Sequence, residues 1–196
     1  MLTLALDTSS VSASVALASG GAIIGSICRN KGLTHSQTLL PAVDSLLTRT
    51  NVSRRQVDKL AVCVGPGSFT GLRIGVATAK GLAMALNVKV VTLSSLQVVA
   101  ASVIPAPAPE SPPVFACINA RRGTVYTASY DENLNEISPP RQLLLSELES
   151  KNIIFDTDLK QGLAPAAALL AEEQEGINPA NVVPFYLRQA LEKADV

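Results

Sequence analysis

Tryptophan is absent from this sequence, histidine occurs once, at His35, and aromatic residues make up only 4% of 196 residues. A single imidazole excludes any metal or catalytic site that needs two histidines from one chain. Charged residues are scarce at 16%, and 16 basic residues balance 16 acidic ones. This balance leaves no basic field to hold nucleic acid through its phosphates, so we expect no strong nucleic-acid binding by the chain alone.

Cysteine and long apolar runs are sparse as well. Cys28, Cys63 and Cys117 lack CxxC spacing and stand in apolar contexts, which is typical of buried, reduced thiols. No apolar run approaches the ~18 residues that span a membrane. No Lys or Arg precedes Asp7, whereas a signal peptide begins with basic residues. We therefore expect a soluble, cytoplasmic protein without a membrane segment.

What the sequence does contain is apolar residues in short periodic runs. Hydrophobic residues make up 47% of the chain, which is enough for a sizeable core. The runs LTLAL and KLAVCV predict buried strands, and helical spacing predicts one helix from about Pro41 and another from Leu72 to Leu86. Five of the 12 prolines lie between residues 105 and 113, which predicts a stiff connector.

An internal repeat organises these runs. The strand VFACIN ends at Asn119, 112 residues after LTLALD ends at Asp7, and Thr124 lies 112 residues after Ser12. Each copy has a strand, a polar turn and a second strand, which predicts an α/β protein with two mixed sheets flanked by helices. We expect lobes at residues 1–104 and 114–196, the second one shortened, joined by the connector 105–113.

Two polar turns form the candidate binding site. DTSS follows the first strand and GPGSFTG lies between a strand and a helix, so their oxygens and amides could hold a phosphate and its metal. Taken alone, DTSS is more often a strand-ending Asx or hydroxyl turn, and GxGxxxG matches neither the dinucleotide fingerprint nor a P-loop. The candidate residues are Asp7, Thr8, Ser9, Gly65, Gly67, Ser68 and Gly71. Arg73 could clamp an anion or fix the loop to Asp7.

Hydrolase chemistry has little support in the sequence. No GxSxG nucleophile elbow is present, and His35 beside Ser36 has no second catalytic partner. Asp156 and Asp158 in FDTD resemble a turn at a strand end more than a pair of catalytic carboxylates.

Small residues line the second predicted helix. Gly71, Gly75, Ala79 and Ala83 follow one another at i, i+4 spacing, which lets another backbone approach closely. The pattern suits tight packing of the helix on its own sheet. On an exposed face it would instead form a helix-helix contact between subunits, with the apolar side of residues 39–47 alongside.

The segments LALDTSSVSASVAL, HSQTLLP, GPGSFTGLRIGVATAKGLA and INARRGTVYTASY together resemble the TsaB (YeaZ) family. This bacterial family partners TsaD, the enzyme that makes threonylcarbamoyladenosine in tRNA. The resemblance is close over residues 1–100 and implies the actin-like ATPase fold, which has two RNase H-like lobes. It also implies that DTSS is a vestigial first phosphate loop and that the INARRGT turn is the second.

The sequence departs from the catalytic relatives at three places. Asn119 stands in the second phosphate loop where an Asp is usual, and Ser95 and Val99 stand where those relatives have a metal-binding histidine pair. No glycine-rich adenosine site is visible around NIIFDTDLKQG. The resemblance therefore implies a chain without catalytic residues, metal or cofactor.

The implied function is that of a non-catalytic subunit that binds and activates TsaD. With TsaE, TsaD would transfer the threonylcarbamoyl group from threonylcarbamoyl-AMP to N6 of the adenosine beside the anticodon. Alone, the chain would form a homodimer, and it would meet tRNA only through the complex. The expected contact residues are Leu39, Leu40, Val43, Leu47, Arg73, Gly75, Val76, Ala79 and Ala83. The alternatives are an autonomous ATP-dependent enzyme of the sugar-kinase type and, less well supported, a peptidase.

Overall fold

A computed structural model gives the structure of the chain and describes residues 1–29, 34–103, 113–148 and 152–187. The predicted connector lies outside these ranges except for Pro113, so the domain limits stay predictions. Within the described ranges, no helix is both long and apolar enough to cross a membrane.

The first sheet has five strands in the order β3-β2-β1-β4-β5. The first three strands form an antiparallel meander, and β4 and β5 then add in parallel to β1. The strands are β1 Leu2–Asp7, β2 Ala13–Ser19, β3 Ala22–Arg29, β4 Lys59–Gly65 and β5 Lys89–Ser94.

The second sheet repeats this order with four strands, β8-β7-β6-β9. Here β6 pairs antiparallel with β7 and parallel with β9, as β1 does with β2 and β4. The strand β8 carries Pro139 and Pro140, and it tolerates them because it lies at the sheet edge and its register shifts there. The strands are β6 Val114–Arg121, β7 Thr124–Tyr130, β8 Glu136–Leu144 and β9 Ile153–Phe155.

The helices are α1 His35–Arg49, α2 Phe69–Leu86, α3 Ser95–Ala101 and α4 Ala164–Leu170. The prediction that the first helix begins at about Pro41 is wrong. It begins six residues earlier because the Gln37 side chain accepts the Thr34 amide at 3.3 Å and closes a capping box there. Pro41 lies inside the helix, on its exposed side. Similarly, α2 starts three residues before Leu72, where Ser68 caps it.

Two apolar clusters hold these layers together. On the outer face of the first sheet, large residues such as Leu6 and Leu17 pack under α1 and α2. On the inner face, alternate positions such as Ala5 and Ala16 are small, because α4 packs closely there. The helix α3 lies against β6 and β7 of the second sheet. Each inner helix therefore packs on the sheet of the other half of the chain, and one core joins the two sheets.

Candidate functional site

The DTSS turn closes on itself at the end of β1. Asp7 is fully buried, and its Oδ1 accepts the Ser9 amide at 3.0 Å and the Ser9 hydroxyl at 2.6 Å. Burial raises the pKa of Asp7, while the bonds from Ser9 and the Cys63 thiol oppose that rise. The strand-ending Asx turn expected from the sequence is thus present.

The glycines of GPGSFTG let this turn press against the start of α2. The Ser68 amide donates to the Ser9 carbonyl at 2.7 Å. A Cβ on Gly67 would collide with that carbonyl, and a Cβ on Gly71 would collide with the carbonyl of Thr8. Because the Ser68 amide and these two glycines contact the DTSS turn, the glycine pattern has a packing explanation that requires no bound phosphate.

Thr8 and Gly75 fix the turn on the side of α2. The Thr8 hydroxyl donates to the Gly71 carbonyl at 2.7 Å inside the protein. A Cβ on Gly75 would collide with the Thr8 Oγ1 atom. The DTSS turn therefore lies against Gly67, Ser68 and Gly71, whereas a Cβ on Gly65 would meet the Phe185 carbonyl. Whether these residues retain any affinity for phosphate stays a prediction.

Of the two roles left open for Arg73, fixing the loop to Asp7 is not the one that the structure shows, because its described contacts are to two aromatic side chains. Its guanidinium lies 3.9 Å from the centroid of the Phe69 ring, and its Nε donates to the Tyr186 hydroxyl at 3.0 Å. The rings of Phe69 and Tyr186 lie 4.8 Å apart, and all three side chains are exposed. Position 73 points outward from the helix because Leu72 fills the inward position.

Sequence reasoning missed the partner of Arg73, since Tyr186 is 113 residues away along the chain. The segment before it follows α2 and the end of β4. Lys80 Nζ donates to the carbonyls of Ala180 and Val182 at 3.1 Å each, and the Phe185 amide donates to the Val64 carbonyl at 2.7 Å. One signal was available: the chain has 4 Phe and 3 Tyr, and two of these scarce aromatics stand together in VVPFYL.

The sequence predicts Asp156 as a turn residue and gives no sign that its carboxyl group is buried. The FDTD segment does form a turn after β9, with Asp158 Oδ2 accepting the Phe155 amide at 2.9 Å. Asp156, however, turns inward and is only 6% exposed. Burial and the charge of Asp7 raise the pKa of Asp156 to about 6, while a bond from Ser10 opposes the rise.

His35 is the first residue of α1 and its ring contacts the same turn. Its Nε2 lies 3.1 Å from the Ser10 carbonyl oxygen. A carbonyl can only accept, so this nitrogen carries the proton and cannot take one from a serine hydroxyl. The neighbouring Ser36 hydroxyl instead lies 2.9 Å from the Thr34 hydroxyl. The geometry therefore gives the peptidase alternative no nucleophile-base pair at His35.

The positions that differ from the catalytic relatives have local structural roles. Asn119 Oδ1 accepts the Arg121 amide at 2.8 Å and stabilises the β6-β7 turn. Ser95 and Val99 lie one turn apart in α3, and both are fully buried. Among the described residues, no group of three His, Cys, Asp or Glu side chains is placed to hold a metal ion.

Most of the predicted contact residues are buried, and their role in a contact with a partner stays a prediction. Only Leu40 and Arg73 are exposed. The others fill the core because they face the first sheet or the DTSS turn: Leu39, Val43, Leu47, Gly75, Val76, Ala79 and Ala83. The exposed side of α2 carries a different set at the same spacing: Arg73, Ala77, Gly81 and Ala85.

The shared strand order of the two sheets defines a duplicated RNase H-like protein with the actin-like ATPase fold. Comparison with known proteins narrows this class. A family model described as TsaD: tRNA N6-adenosine threonylcarbamoyltransferase matches residues 25–142. The chain is 32% identical to the Bacillus subtilis tRNA threonylcarbamoyladenosine biosynthesis protein TsaB, over 97% of this chain and 95% of that protein.

Two further comparisons agree. The Escherichia coli TsaB is 36% identical over 70% of this chain and 58% of its own length. The solved structure of YeaZ from Pseudomonas aeruginosa superposes with a TM-score of 0.77 at 27% identity, covering 95% of this chain and 99% of that one. The chain belongs to the TsaB (YeaZ) family, and it has a role in the biosynthesis of threonylcarbamoyladenosine in tRNA.

Proposed function

We propose that this chain is the non-catalytic subunit that binds TsaD and stabilises its active arrangement. Together with TsaE, the complex would transfer the threonylcarbamoyl group from threonylcarbamoyl-AMP to N6 of the adenosine beside the anticodon. A subunit without catalytic groups acts by binding the active conformation of its partner more tightly than the inactive one.

The observation that carries this proposal is the exposed side of α2, here called the α2 stripe and formed by Arg73, Ala77, Gly81 and Ala85. A Cβ added at Gly81 would meet no atom within 4 Å. The intramolecular packing that explains the buried glycines therefore does not explain this one. A stripe of small residues on an exposed helix lets a second helix approach closely.

Apolar side chains flank the α2 stripe. Met84 is 64% exposed, and Leu40 on the neighbouring helix α1 is 47% exposed. At the other end of the stripe, Arg73 and the rings of Phe69 and Tyr186 form an exposed group. Arg and aromatic residues are enriched at the centres of protein interfaces. We assign this surface to TsaD in the heterodimer and to a second copy when the chain is alone.

The cleft supports the non-catalytic part of the proposal. The amide of Ser68 and the glycines beside it are engaged by the DTSS turn. The histidine positions hold Ser95 and Val99, which cannot replace imidazoles as metal ligands. Catalysis is therefore assigned to TsaD, and contact with tRNA to the assembled complex.

The test is a glutamate in the α2 stripe. Gly81→Glu should fold, since space is open there, but it should lower the affinity for TsaD at least tenfold by placing a charge in an apolar contact. Tagged TsaD from the same bacterium, co-purification and sedimentation would measure the complex. Ala22→Glu, at an exposed alanine of the β2-β3 hairpin, is the matched control and should bind normally.

Threonylcarbamoyladenosine formation by TsaD and TsaE should fall in parallel with complex formation in the Gly81→Glu variant. Undiminished co-purification of this variant would contradict the assigned surface. Modification of tRNA by the chain without TsaD, or turnover of Mg-ATP by it, would contradict the non-catalytic role and favour the enzyme alternative.

A further inference from the structure

Arg73 is held in one orientation on the protein surface by two aromatic side chains. Its guanidinium lies 3.9 Å from the centroid of the Phe69 ring and 5.9 Å from that of the Tyr186 ring. Its Nε donates to the Tyr186 hydroxyl at 3.0 Å, and the two rings lie 4.8 Å apart. A free arginine on a surface samples many rotamers, so these contacts fix the direction of the guanidinium.

The Tyr186 ring is positioned by the residue before it. The Phe185 amide donates to the Val64 carbonyl at 2.7 Å. The Phe185 carbonyl packs so closely on Gly65 that a Cβ there would collide with it, and Gly65 has a φ of +129°, which other residues rarely adopt. The first glycine of GPGSFTG therefore admits the segment that carries Tyr186 to Arg73.

The outer part of the Arg73 guanidinium has no partner within the chain. Among the described residues, Nε is the only nitrogen of this side chain with a hydrogen-bond acceptor, so both Nη groups lack one. No carboxylate of these residues pairs with it either, because their one ion pair joins Arg54 to Asp44. A guanidinium with two free Nη groups matches the two oxygens of a carboxylate. Ordering it before the partner arrives lowers the entropic cost of binding, which is typical of a recognition site.

The position of Arg73 indicates where such a carboxylate comes from. Arg73 stands at one end of the α2 stripe, and the small residues Ala77, Gly81 and Ala85 continue along the same exposed side of the helix. A partner helix that packs on these small residues would run beside the guanidinium. Close packing would also exclude water from the contact, and a charge-assisted hydrogen bond is stronger in that environment.

We propose that Arg73, oriented by Phe69 and Tyr186, binds an Asp or Glu carboxylate of TsaD when the two proteins dock. This inference rests on the proposed function and deepens it by naming the chemical group that the surface recognises. Arg73 is the binding residue, and the two aromatic residues are positioning residues because they act through it. The small residues allow the close approach, and the charged pair sets the register of the two helices.

The test measures the affinity of tagged TsaD from the same bacterium for the full chain, by calorimetry at low and at moderate salt. Arg73→Lys keeps the positive charge but loses the planar group, and it should weaken the complex at least tenfold. Arg73→Gln should weaken it as well, and it should also reduce the salt dependence because it removes a charged pair. Arg141→Lys, at an exposed arginine of β8, is the matched control and should change neither quantity.

A second variant tests the positioning role of Tyr186. Tyr186→Phe keeps the ring and removes the acceptor of Nε, so it should weaken binding about threefold. Adding it to Arg73→Lys should cause no further loss, since Tyr186 acts through Arg73. An additive loss in the double variant would overturn the positioning role. The melting temperatures should match that of the unaltered chain, because these side chains are exposed.

The carboxylate itself is found by changing the Asp and Glu residues of TsaD, one at a time, to Asn and Gln. One such change should reproduce the loss seen with Arg73→Lys and should add nothing to it, as expected for two groups in contact. If no Asp or Glu of TsaD behaves in this way, the proposal is overturned.

Comparison with Gly81→Glu separates this proposal from the proposed function. If Gly81→Glu abolishes binding while both Arg73 variants bind normally, the docking surface stands and the carboxylate contact is overturned. If all three bind normally, both are overturned. If the Arg73 variants bind TsaD normally but the assembled complex retains less tRNA, Arg73 binds an RNA phosphate, and the carboxylate contact is again overturned.

Discussion

The two sheets share a strand order but differ in what covers them. In the first sheet, β1, β2 and β4 are buried along nearly their whole length, because helices pack on both faces. In the second sheet, β8 has no buried residue and β9 is half-buried. The strand topology is thus the same in both halves, whereas within the described ranges only the first sheet has a helix layer on its outer face.

This difference predicts that truncations in the first sheet cost more stability than truncations at the β8 edge of the second sheet. The layer formed by α1 and α2 completes an apolar cluster on the first sheet. The second sheet exposes Ile137, Leu144 and Leu145 at its β8 edge. Strand pairing is enough to preserve a fold, but burial on two faces is what supplies most of its hydrophobic free energy.

The largest predicted difference in unfolding free energy comes from shortening one leucine side chain to alanine in each sheet. Leu17→Ala removes a fully buried side chain under α1 and α2, and it should cost about 2 to 5 kcal/mol of unfolding free energy. Leu144→Ala, on β8 and 49% exposed, should cost less than about 0.5 kcal/mol. Urea unfolding measures both, and equal losses would break the comparison.

The next effect concerns Asp156, the buried carboxyl group that follows β9. The pKa of Asp156 is raised from 3.8 to about 6 in the folded protein, so the folded state binds more protons than the unfolded one between these values. Stability should therefore fall as the pH rises from about 4 to about 6. Asp7 adds a change of the same sign, because burial raises the pKa of that group as well.

The measurement is the urea concentration at the midpoint of unfolding, taken across this pH range. Asp156→Asn should flatten the profile, since the amide does not titrate, while Glu175→Gln, which removes an exposed carboxylate elsewhere, should leave it unchanged. A profile for Asp156→Asn that falls as steeply as that of the unaltered chain would remove Asp156 as the cause.

Much of the fold could be predicted because the polar residues at strand ends and in turns recur at a constant spacing in the sequence. The equal spacing of Asp7 to Asn119 and Ser12 to Thr124 predicted two similar units, and the equivalent strand orders confirm them. The start of α1 differs from the prediction because the helix tolerates Pro41 on its exposed side, while the capping residues Thr34 and Gln37 set its first turn.

The candidate site was harder to predict, because its residues meet through contacts distant in sequence. The FDTD pattern predicts an ordinary turn, and it does not show that Asp156 is buried while Asp158 caps the turn. The α2 helix carries small residues at i, i+4 spacing on two sides, one through Gly75 and one through Gly81. Periodicity identifies such stripes, but it does not show which one faces the sheet.

The smallest predicted change in unfolding free energy comes from these two glycines. It compares the buried and the exposed side of α2, a helix that covers the first sheet. A Cβ at Gly75 would strike Thr8 Oγ1, whereas a Cβ at Gly81 would stand in open space. Gly81→Ala should therefore raise the unfolding free energy by about 0.5 to 1 kcal/mol through helix propensity. Gly75→Ala should lose that gain and destabilise by about 1 kcal/mol or more, because the Thr8 bond to Gly71 must shift. Thermal and urea unfolding of the two variants measure the difference, and a stabilised Gly75→Ala would show that the DTSS turn is not held against α2 as described.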